Sequence, residues 1–407
     1  MSSLSDRLKL LGVKVGAQQL APPARADVYP IEAVLKGERI QTPAGETFVV
    51  EKDYAPDYRH GAVSLLCEAP VNILSHWAGD ENIQSFERSE FAFLDTETSG
   101  LAGGTGTYAF LVGVGRFVGQ VFHLAQFFMR DPTEEPALLL ALESFLAPCK
   151  ALVTFNGKSF DAPLLNTRFK MAGWQSPLYD LRQIDLLHIS RRLWRDQLAS
   201  RTLGNLEVQI LQIARSEEEV PGWLIPQLYF DYLRTGDARA MKSVFYHNAM
   251  DVVSMAALFN RITIDLEDPY SPLLESVERA AVARLYEDLG KFDEAAQLYE
   301  ASLNEGLPED LFWDSLHRLA LLHKRRSHYH MAVPLWEKAA RHQRLEAFIE
   351  LAKAYEHIFK EIDQAIHWTR QALQIIEQPG FPAIDRRMWQ PDLERRLERL
   401  ISKVNDN

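Results

Sequence analysis

The amino-acid sequence predicts an α/β domain, with a mixed central sheet flanked by helices, followed by an all-α domain of helical repeats. Two observations support this division. Between residues 91 and 155, short apolar runs of strand length alternate with turn signals and one helical segment. Beyond the acidic, proline-containing stretch at 265–272, the hydrophobic period is helical throughout and repeats about every 34 residues.

Residues 1–90 form a lead-in that we expect to pack against the α/β domain instead of folding alone. Residues 4–11 have the pattern of a short amphipathic helix, and residues 40–50 predict a β-hairpin around Pro43 to Gly45. A helical apolar pattern then passes through Leu65, Ile73 and Trp77. No catalytic constellation is visible in this segment.

The predicted α/β domain covers residues 91–265 and opens with an apolar strand that ends in acids. Glu97 follows Asp95 by two positions, and side chains alternate along a strand, so both carboxylates point to the same face. One interpretation is an ordinary turn at Asp95 with Glu97 in water. The other is a divalent metal site, because two neighbouring acids repel unless a cation lies between them.

Three further elements follow these acids. The glycine-rich residues 100–107 do not predict a phosphate-binding P-loop, because a Gly-Lys-Ser/Thr ending is missing and a strand follows. Residues 108–115 and 121–128 predict a hairpin that completes an antiparallel meander. Residues 134–146 predict a helix that leads to a strand at 152–155.

More acids come after these strands. Asp161 begins a helical pattern just beyond Asn156-Gly157, and Asp251 lies in a strongly helical segment with His247 one turn before it. Asp185 follows another short apolar run. It is either a helix cap, which we favour, or an aid to metal or substrate binding.

These motifs together resemble those of the DEDD exonucleases of the ribonuclease H-like superfamily and, within them, the YprB-type ribonuclease H-like domain proteins. The resemblance covers about residues 91–260 and is carried by Phe93 to Thr98, Asn156 to Asp161, and His247-Asn-x-x-Asp251. It implies four metal ligands, Asp95, Glu97, Asp161 and Asp251. As substrate contacts we single out Thr96, Leu101, Asn156, Lys158 and Tyr246.

Two of these contacts have specific interpretations. By analogy with the family, Leu101 is a wedge against the terminal base, although an ordinary packing leucine is an equal alternative. Lys158 is a candidate phosphate contact three residues before Asp161.

The sequence departs from the family at the catalytic base. The tyrosine-type branch has Tyr four residues before the last Asp, and the histidine-type branch has His five before it. This chain has His247 at the first spacing and Tyr246 at the second. We favour His247, which shares a helix face with Asp251, and keep Tyr246 as the alternative.

The chemistry of the four acids indicates two Mg²⁺ or Mn²⁺ ions, because hard divalent cations prefer carboxylate and water ligands. Two such ions activate water and hold the attacking and leaving oxygens of a phosphodiester. A histidine can take the proton of that water near pH 7. Nothing in the sequence is typical of a zinc site.

Composition limits the other function classes. The 407 residues carry a net charge of −12, which argues against coating of nucleic acid through overall basicity. Cys67 and Cys149 are the only cysteines and have no metal-type spacing, so we expect a reducing compartment. We see no signal peptide and no apolar stretch long enough to cross a bilayer, so we expect a cytoplasmic protein.

Residues 272–378 resemble tetratricopeptide repeats, with small and aromatic residues at recurring offsets. Ala283, Ala320 and Ala352 begin equivalent positions in three copies, the third with one extra residue in its turn. The copies are expected to stack into a short solenoid, and residues 379–407 to form a closing helix and tail. Such repeats bind a protein partner or merely buttress the domain before them.

The function that these observations favour is a metal-dependent exonuclease that trims single-stranded RNA or DNA, with the 3′-to-5′ direction that the resemblance implies. One alternative is a catalytically weak or inactive nucleic-acid-binding or scaffold protein that acts through its helical repeats. A second is a structure-specific endonuclease, which the same metal chemistry would serve.

Overall fold

The computed structural model describes residues 29–66, 68–100, 106–272 and 274–405. The helix predicted at residues 4–11, Leu101 and Cys67 therefore lie outside the described residues. The chain divides into two compact units. The first contains the described residues up to Glu68 together with Ser85–Leu186 and Leu203–Asn260, and the second contains Ala69–Gln84, Leu187–Thr202 and the residues from Arg261 onward. The predicted domain boundaries at 90, 265, 272 and 378 stay predictions.

The first unit is built on a seven-stranded mixed sheet with the strand order β1-β2-β7-β6-β5-β8-β9. A separate short hairpin is formed by β3 and β4. The strands are β1 Glu38–Thr42, β2 Gly45–Tyr54, β3 Arg59–His60, β4 Val63–Ser64, β5 Phe91–Thr98, β6 Ala109–Val118, β7 Val121–Phe128, β8 Ala151–Thr154 and β9 Arg182–Asp185.

The pairing of these strands confirms the predicted mixed sheet. The hairpin expected at residues 40–50 is present as β1 and β2, and β2 pairs antiparallel with β7. Strands β5, β6 and β7 form the expected antiparallel meander. Strands β8 and β9 then run parallel to β5, so that the carboxyl ends of β5, β8 and β9 lie at one edge of the sheet.

Strand β5 is longer than predicted. It continues through Asp95 and Glu97 to Thr98, so a turn beginning at Asp95 is wrong. Its first four residues are buried and the acids come where the strand reaches the surface. An apolar strand thus carries two carboxylates to the edge of the sheet.

Helices cover the sheet of the first unit, and the helix predicted at 134–146 is present as Glu135–Leu146. The others that lie in this unit, wholly or in part, are Ile31–Val34, Asp161–Met171, Leu203–Leu206, Ile225–Thr235 and Met241–Glu267. Tyr229 stacks on Phe110 of β6 with ring centroids 3.9 Å apart, and its hydroxyl donates to the Met129 carbonyl at 2.9 Å. The helix Ile225–Thr235 is thereby fixed against the sheet.

The second unit is helical, which confirms the all-helical character predicted for the C-terminal region. Its described helices are Asn72–Ala78, Leu186–Leu193, Ser276–Asp288, Phe292–Glu305, Glu309–Arg325, Tyr329–Arg341, Leu345–Ala354, Ile362–Glu377 and Ala383–Asn405. The small residues of the repeat, among them Ala283, Ala320 and Ala352, are fully buried where consecutive helices pack. The extra residue of the third copy is accommodated by a π-helical turn, Tyr355–Phe359, which ends at Lys360 in the left-handed region.

Among the described residues, none of the helices is both long and apolar enough for a membrane crossing.

The last helix is tied to the third repeat through one buried carboxylate. Glu356 accepts hydrogen bonds from Arg396 at 2.7 Å, Arg399 at 3.0 Å and Lys403 at 2.9 Å. Burial alone would raise the pKa of Glu356, but the bond from Lys403 and the charges of the arginines outweigh it and lower that pKa. These contacts stabilise the folded state only while the carboxylate is ionised.

We expect Glu356→Gln to lower the free energy of unfolding of the repeat unit by about 1–2 kcal/mol at pH 7, because charge-assisted hydrogen bonds are lost. The folded-state pKa is depressed, so the difference from the native chain should be full above the unfolded pKa and vanish as the pH falls through the folded pKa. Urea unfolding at several pH values measures it. Glu398→Gln, at an exposed position of the same last helix, is the control and should change little. An equal loss in both variants would contradict the assignment.

Candidate active site

The four predicted acids converge at the edge of the sheet where β5 ends. Asp95 and Glu97 lie on β5, Asp161 begins the helix Asp161–Met171, and Asp251 lies in the helix Met241–Glu267. Burial, and then the charges of Asp251 and Asp161, raise the pKa of Asp95 well above its usual range. Burial raises the pKa of Glu97 in the same way, with Asp95 as the next cause. These acids are therefore close enough to repel one another.

Burial also raises the pKa of Asp161, to about 6, and raises that of Asp251. Burial and mutual repulsion oppose ionisation of four carboxyl groups in one place, and divalent cations with oxygen ligands would favour their ionised form. The donor set thus fits Mg²⁺ or Mn²⁺. In the described part of the chain, however, no three His, Cys, Asp or Glu side chains already surround a single metal-sized point.

Asp95 is oriented by an amide from the long helix. Asn248 Nδ2 donates to Asp95 Oδ2 at 2.8 Å and to its main-chain carbonyl at 3.2 Å. Gln126 Nε2 in turn donates to Asn248 Oδ1 at 2.9 Å. A β-carbon at Gly113, the residue of β6 paired with Asp95, would lie 2.2 Å from Asn248 Oδ1. Glycine at this position therefore makes the space that Asn248 occupies.

Asp161 is held by the loop that follows β8. The Thr96 hydroxyl donates to Asp161 Oδ1. Asp185 accepts the backbone N–H groups of Asn156 at 2.7 Å and Lys158 at 3.2 Å, which fixes the loop. A β-carbon at Gly157 would lie 2.8 Å from Asp161 Oδ2, so glycine is needed for this close approach.

Asp251 accepts a hydrogen bond from Arg215, which the sequence analysis missed. Arg215 Nη2 donates to Asp251 Oδ1, and the Nε–Nη2 edge of the same guanidinium makes a bidentate pair with Glu207, at 2.8 Å from Nε and 2.7 Å from Nη2. Glu207 is buried. Because two hydrogen bonds to a buried carboxylate fix the guanidinium, Arg215 is a rigid donor to one oxygen of Asp251 and leaves the other oxygen to the site.

His247 is placed between the acids and a second missed residue, Glu219. Its Nε2 lies 3.8 Å from Glu97 Oε1 and 3.5 Å from Asp251 Oδ2. Its Nδ1 contacts Glu219 Oε1, with Arg215 Nη1 at 3.2 Å. Since Glu219 is the nearer group, we assign a proton to Nδ1 that is donated to Glu219.

The remaining predicted residues lie as follows. The Tyr246 hydroxyl accepts the backbone N–H of Ser216 at 2.9 Å, whereas the adjacent His247 contacts the acids. Asn156 has a left-handed backbone with φ of 67° and Lys158 is exposed. The Thr96 hydroxyl is engaged with Asp161. Leu101 lies outside the described residues.

Glu207, Arg215 and Glu219 had no recognisable signal in the sequence. They lie in the connecting segment between the helix Leu203–Leu206 and Pro221, where the run Arg215-Ser-Glu-Glu-Glu219 has the composition of a solvated surface. Asn248 did have a signal, since it is part of the motif His247-Asn-x-x-Asp251, but the motif did not reveal that its amide supports Asp95.

Two known family models match parts of the chain. The sequence model of the RNase_H superfamily matches residues 92–263, and that of the tetratricopeptide repeat matches residues 279–311. An uncharacterized protein of Bacillus subtilis (strain 168), YprB, is 34% identical over 335 residues, which are 79% of this chain and 79% of YprB.

Among solved structures, the chain is similar to the family B DNA polymerase from the hyperthermophilic archaeon Pyrobaculum calidifontis, with 14% identity and a TM-score of 0.33. The match covers 58% of this chain but spans only 29% of the polymerase.

We expect Asn248→Ala to weaken Mn²⁺ binding about 10- to 100-fold, because Asp95 loses the donor that orients it. The matched control is Asn260→Ala. Asn260 is buried on the same helix and donates to the backbone carbonyls of Ser64 and Leu66. Both variants should lose about 1–3 kcal/mol of unfolding free energy. The Mn²⁺-dependent rise in melting temperature measures binding, and an unchanged Mn²⁺ affinity in Asn248→Ala would refute the role given to Asn248.

Arg215→Met should destabilise the chain by about 3–5 kcal/mol, because Glu207 is left buried without a cation. Adding Glu207→Gln should restore most of this stability. If the Arg215–Glu207 pair only stabilises its own segment, the double variant Arg215→Met/Glu207→Gln will bind Mn²⁺ as the native chain does. We expect it instead to bind about tenfold more weakly, because Asp251 has lost its donor. Urea unfolding and Mn²⁺ titration of the same three proteins distinguish the two outcomes.

Proposed function

The chain belongs to the YprB-type family of ribonuclease H-like proteins, and on that basis we propose that it is a divalent-metal-dependent exonuclease acting on single-stranded nucleic acid. The observation that carries the proposal is the convergence of four carboxylates from three separate segments, with pKa values raised by burial. A structural role does not require such a concentration of charge. The 3′-to-5′ direction is part of the proposal and rests on the family resemblance.

Asp95, Glu97, Asp161 and Asp251 would hold two Mg²⁺ or Mn²⁺ ions. When bound, these ions activate the attacking water and stabilise the charge on the leaving oxygen. Asn248 donates to one carboxylate oxygen of Asp95, and Arg215 donates to one of Asp251. Both acids would thereby be oriented before substrate binds.

His247 is the proposed general base. With Nδ1–H donated to Glu219, the free nitrogen is Nε2, on the side of Glu97 and Asp251. It can therefore accept a proton from a water at the acid cluster and release it to solvent. Tyr246 is the weaker candidate, because its hydroxyl accepts a backbone N–H at Ser216.

The helical repeats are proposed to bind a protein partner. The support is their match to the tetratricopeptide model and the stacked helices from Ser276 to Glu377. Such stacks present extended surfaces that recognise other chains.

The test is degradation of end-labelled single-stranded RNA and DNA with Mg²⁺ or Mn²⁺. We expect the native chain to shorten the substrate stepwise from its 3′ end and Asp95→Asn to abolish cleavage. His247→Gln should reduce the rate about 10²- to 10⁴-fold. The cleavage rate of Tyr246→Phe should remain close to that of the native chain. The rate of Glu219→Gln should fall between those of His247→Gln and Tyr246→Phe, because this variant keeps the imidazole but removes the carboxylate that orients it.

Other results would replace the proposal. Shortening from the 5′ end would reverse the polarity, and cuts at internal positions of structured substrates would indicate an endonuclease. Binding without any cleavage under either metal would indicate an inactive nucleic-acid-binding protein.

A further inference from the structure

Two aromatic side chains beside the acid cluster are largely exposed to water. The exposed fraction is 76% for Trp223 and 63% for Phe160. Among the described residues of the first unit, Trp223 is the most exposed large hydrophobic side chain. Rings of this size usually bury most of their surface, and exposed ones concentrate where partners bind.

Trp223 stands next to the proposed base. It lies in the turn Gly222–Leu224, which is closed by the Leu224 N–H donating to the Pro221 carbonyl at 2.9 Å. A β-carbon at Gly222 would lie 3.9 Å from His247 Nε2. The backbone that carries the indole therefore borders the imidazole.

Phe160 stands next to a proposed metal ligand. It directly precedes Asp161, and its N–H donates to the Gly157 carbonyl at 3.3 Å. The loop that carries it is held by Asp185 through the N–H groups of Asn156 and Lys158. The phenyl ring is thus presented to solvent from a fixed loop.

Lys158 is exposed on the loop before Asp161, but two arginines of this unit that could contact phosphate are already paired with carboxylates. Arg215 is engaged by Glu207, Glu219 and Asp251. Arg168 forms a bidentate pair with Glu135. A substrate strand that approaches four carboxylates on a chain of net charge −12 needs contacts that do not depend on charge. Base stacking on aromatic rings is such a contact, and it tolerates any base sequence.

We propose that Trp223 and Phe160 form a nucleobase-stacking site for the single-stranded end whose phosphodiester lies at the acid cluster. This inference rests on the proposed function and names its substrate contact. The two rings hold bases next to the scissile bond, while the carboxylates and His247 act on the backbone. Stacking selects unpaired ends, because bases in a duplex already stack on their neighbours.

The test is binding of fluorescently labelled single-stranded DNA and RNA, measured by anisotropy with Ca²⁺ present and with the oligonucleotide checked for integrity. Trp223→Ala and Phe160→Ala should each weaken binding about 5- to 100-fold, the effect of losing one base–aromatic stack. Trp223→Phe should recover most of the loss. An oligonucleotide with three abasic residues at its 3′ end should bind the native chain and Trp223→Ala equally.

Tyr179→Ala is the matched control. Tyr179 is 63% exposed, as Phe160 is, but it precedes β9, whose first residue pairs with the start of β8, so it lies at the edge of the sheet away from the acids. Its loss should leave binding unchanged. Equal binding by native chain, Trp223→Ala and Phe160→Ala would overturn the proposal, as would a loss of the same size with the abasic oligonucleotide.

Failure of this inference is separate from failure of the proposed function. A chain that cuts single strands while Trp223→Ala and Phe160→Ala bind normally refutes the stacking site alone. A chain that does not cut, but whose binding falls in both variants and not in Tyr179→Ala, retains the stacking site and loses the exonuclease. All variants should melt as the native chain does, because the altered rings are exposed.

Discussion

Mutual repulsion among four partly buried carboxylates is the constraint that shapes the candidate site of the α/β unit. Burial and neighbouring charge both oppose ionisation of Asp95 and Glu97. Three of the acids accept a side-chain hydrogen bond: Asp95 from Asn248, Asp161 from Thr96 and Asp251 from Arg215. Each of these side chains engages one carboxylate oxygen of its acid. The arrangement therefore reduces the repulsion without removing the need for added cations.

The backbone makes this arrangement possible at two glycines. Gly113 lies opposite Asp95 on β6, and a methyl group there would overlap Asn248. Gly157 lies under Asp161, and a methyl group there would overlap both that carboxylate and Thr154. In both places a side chain would be accommodated only by moving the group that orients an acid. Because these contacts leave no spare room, the positions of the acids depend on the register of the sheet and on the conformation of the loop after β8.

The sequence predicted the mixed sheet and the helical repeats because their signals are local. A strand that ends in Asp95 and Glu97 can be recognised within a few residues, and the repeats from their period. Arg215 could not be recognised in this way, because its partner among the acids, Asp251, is brought to it by tertiary folding from 36 residues away. Composition alone describes that segment as a charged surface. Helix spacing in the sequence favoured His247 over Tyr246, and in the structure His247 lies beside the acids while the Tyr246 hydroxyl accepts the N–H of Ser216.

The charge balance also constrains how such a site can hold its substrate. Counterion release by lysines and arginines usually dominates binding to nucleic acid. Here Arg215 is paired with Glu207 and Arg168 with Glu135, while Lys158 is exposed on the loop before Asp161. The proposed metal ions, the exposed Lys158 and contacts with the bases are then the available sources of binding energy. The proposed activity would depend on divalent cations for affinity as well as for chemistry, because without them the carboxylates repel a nucleic-acid strand.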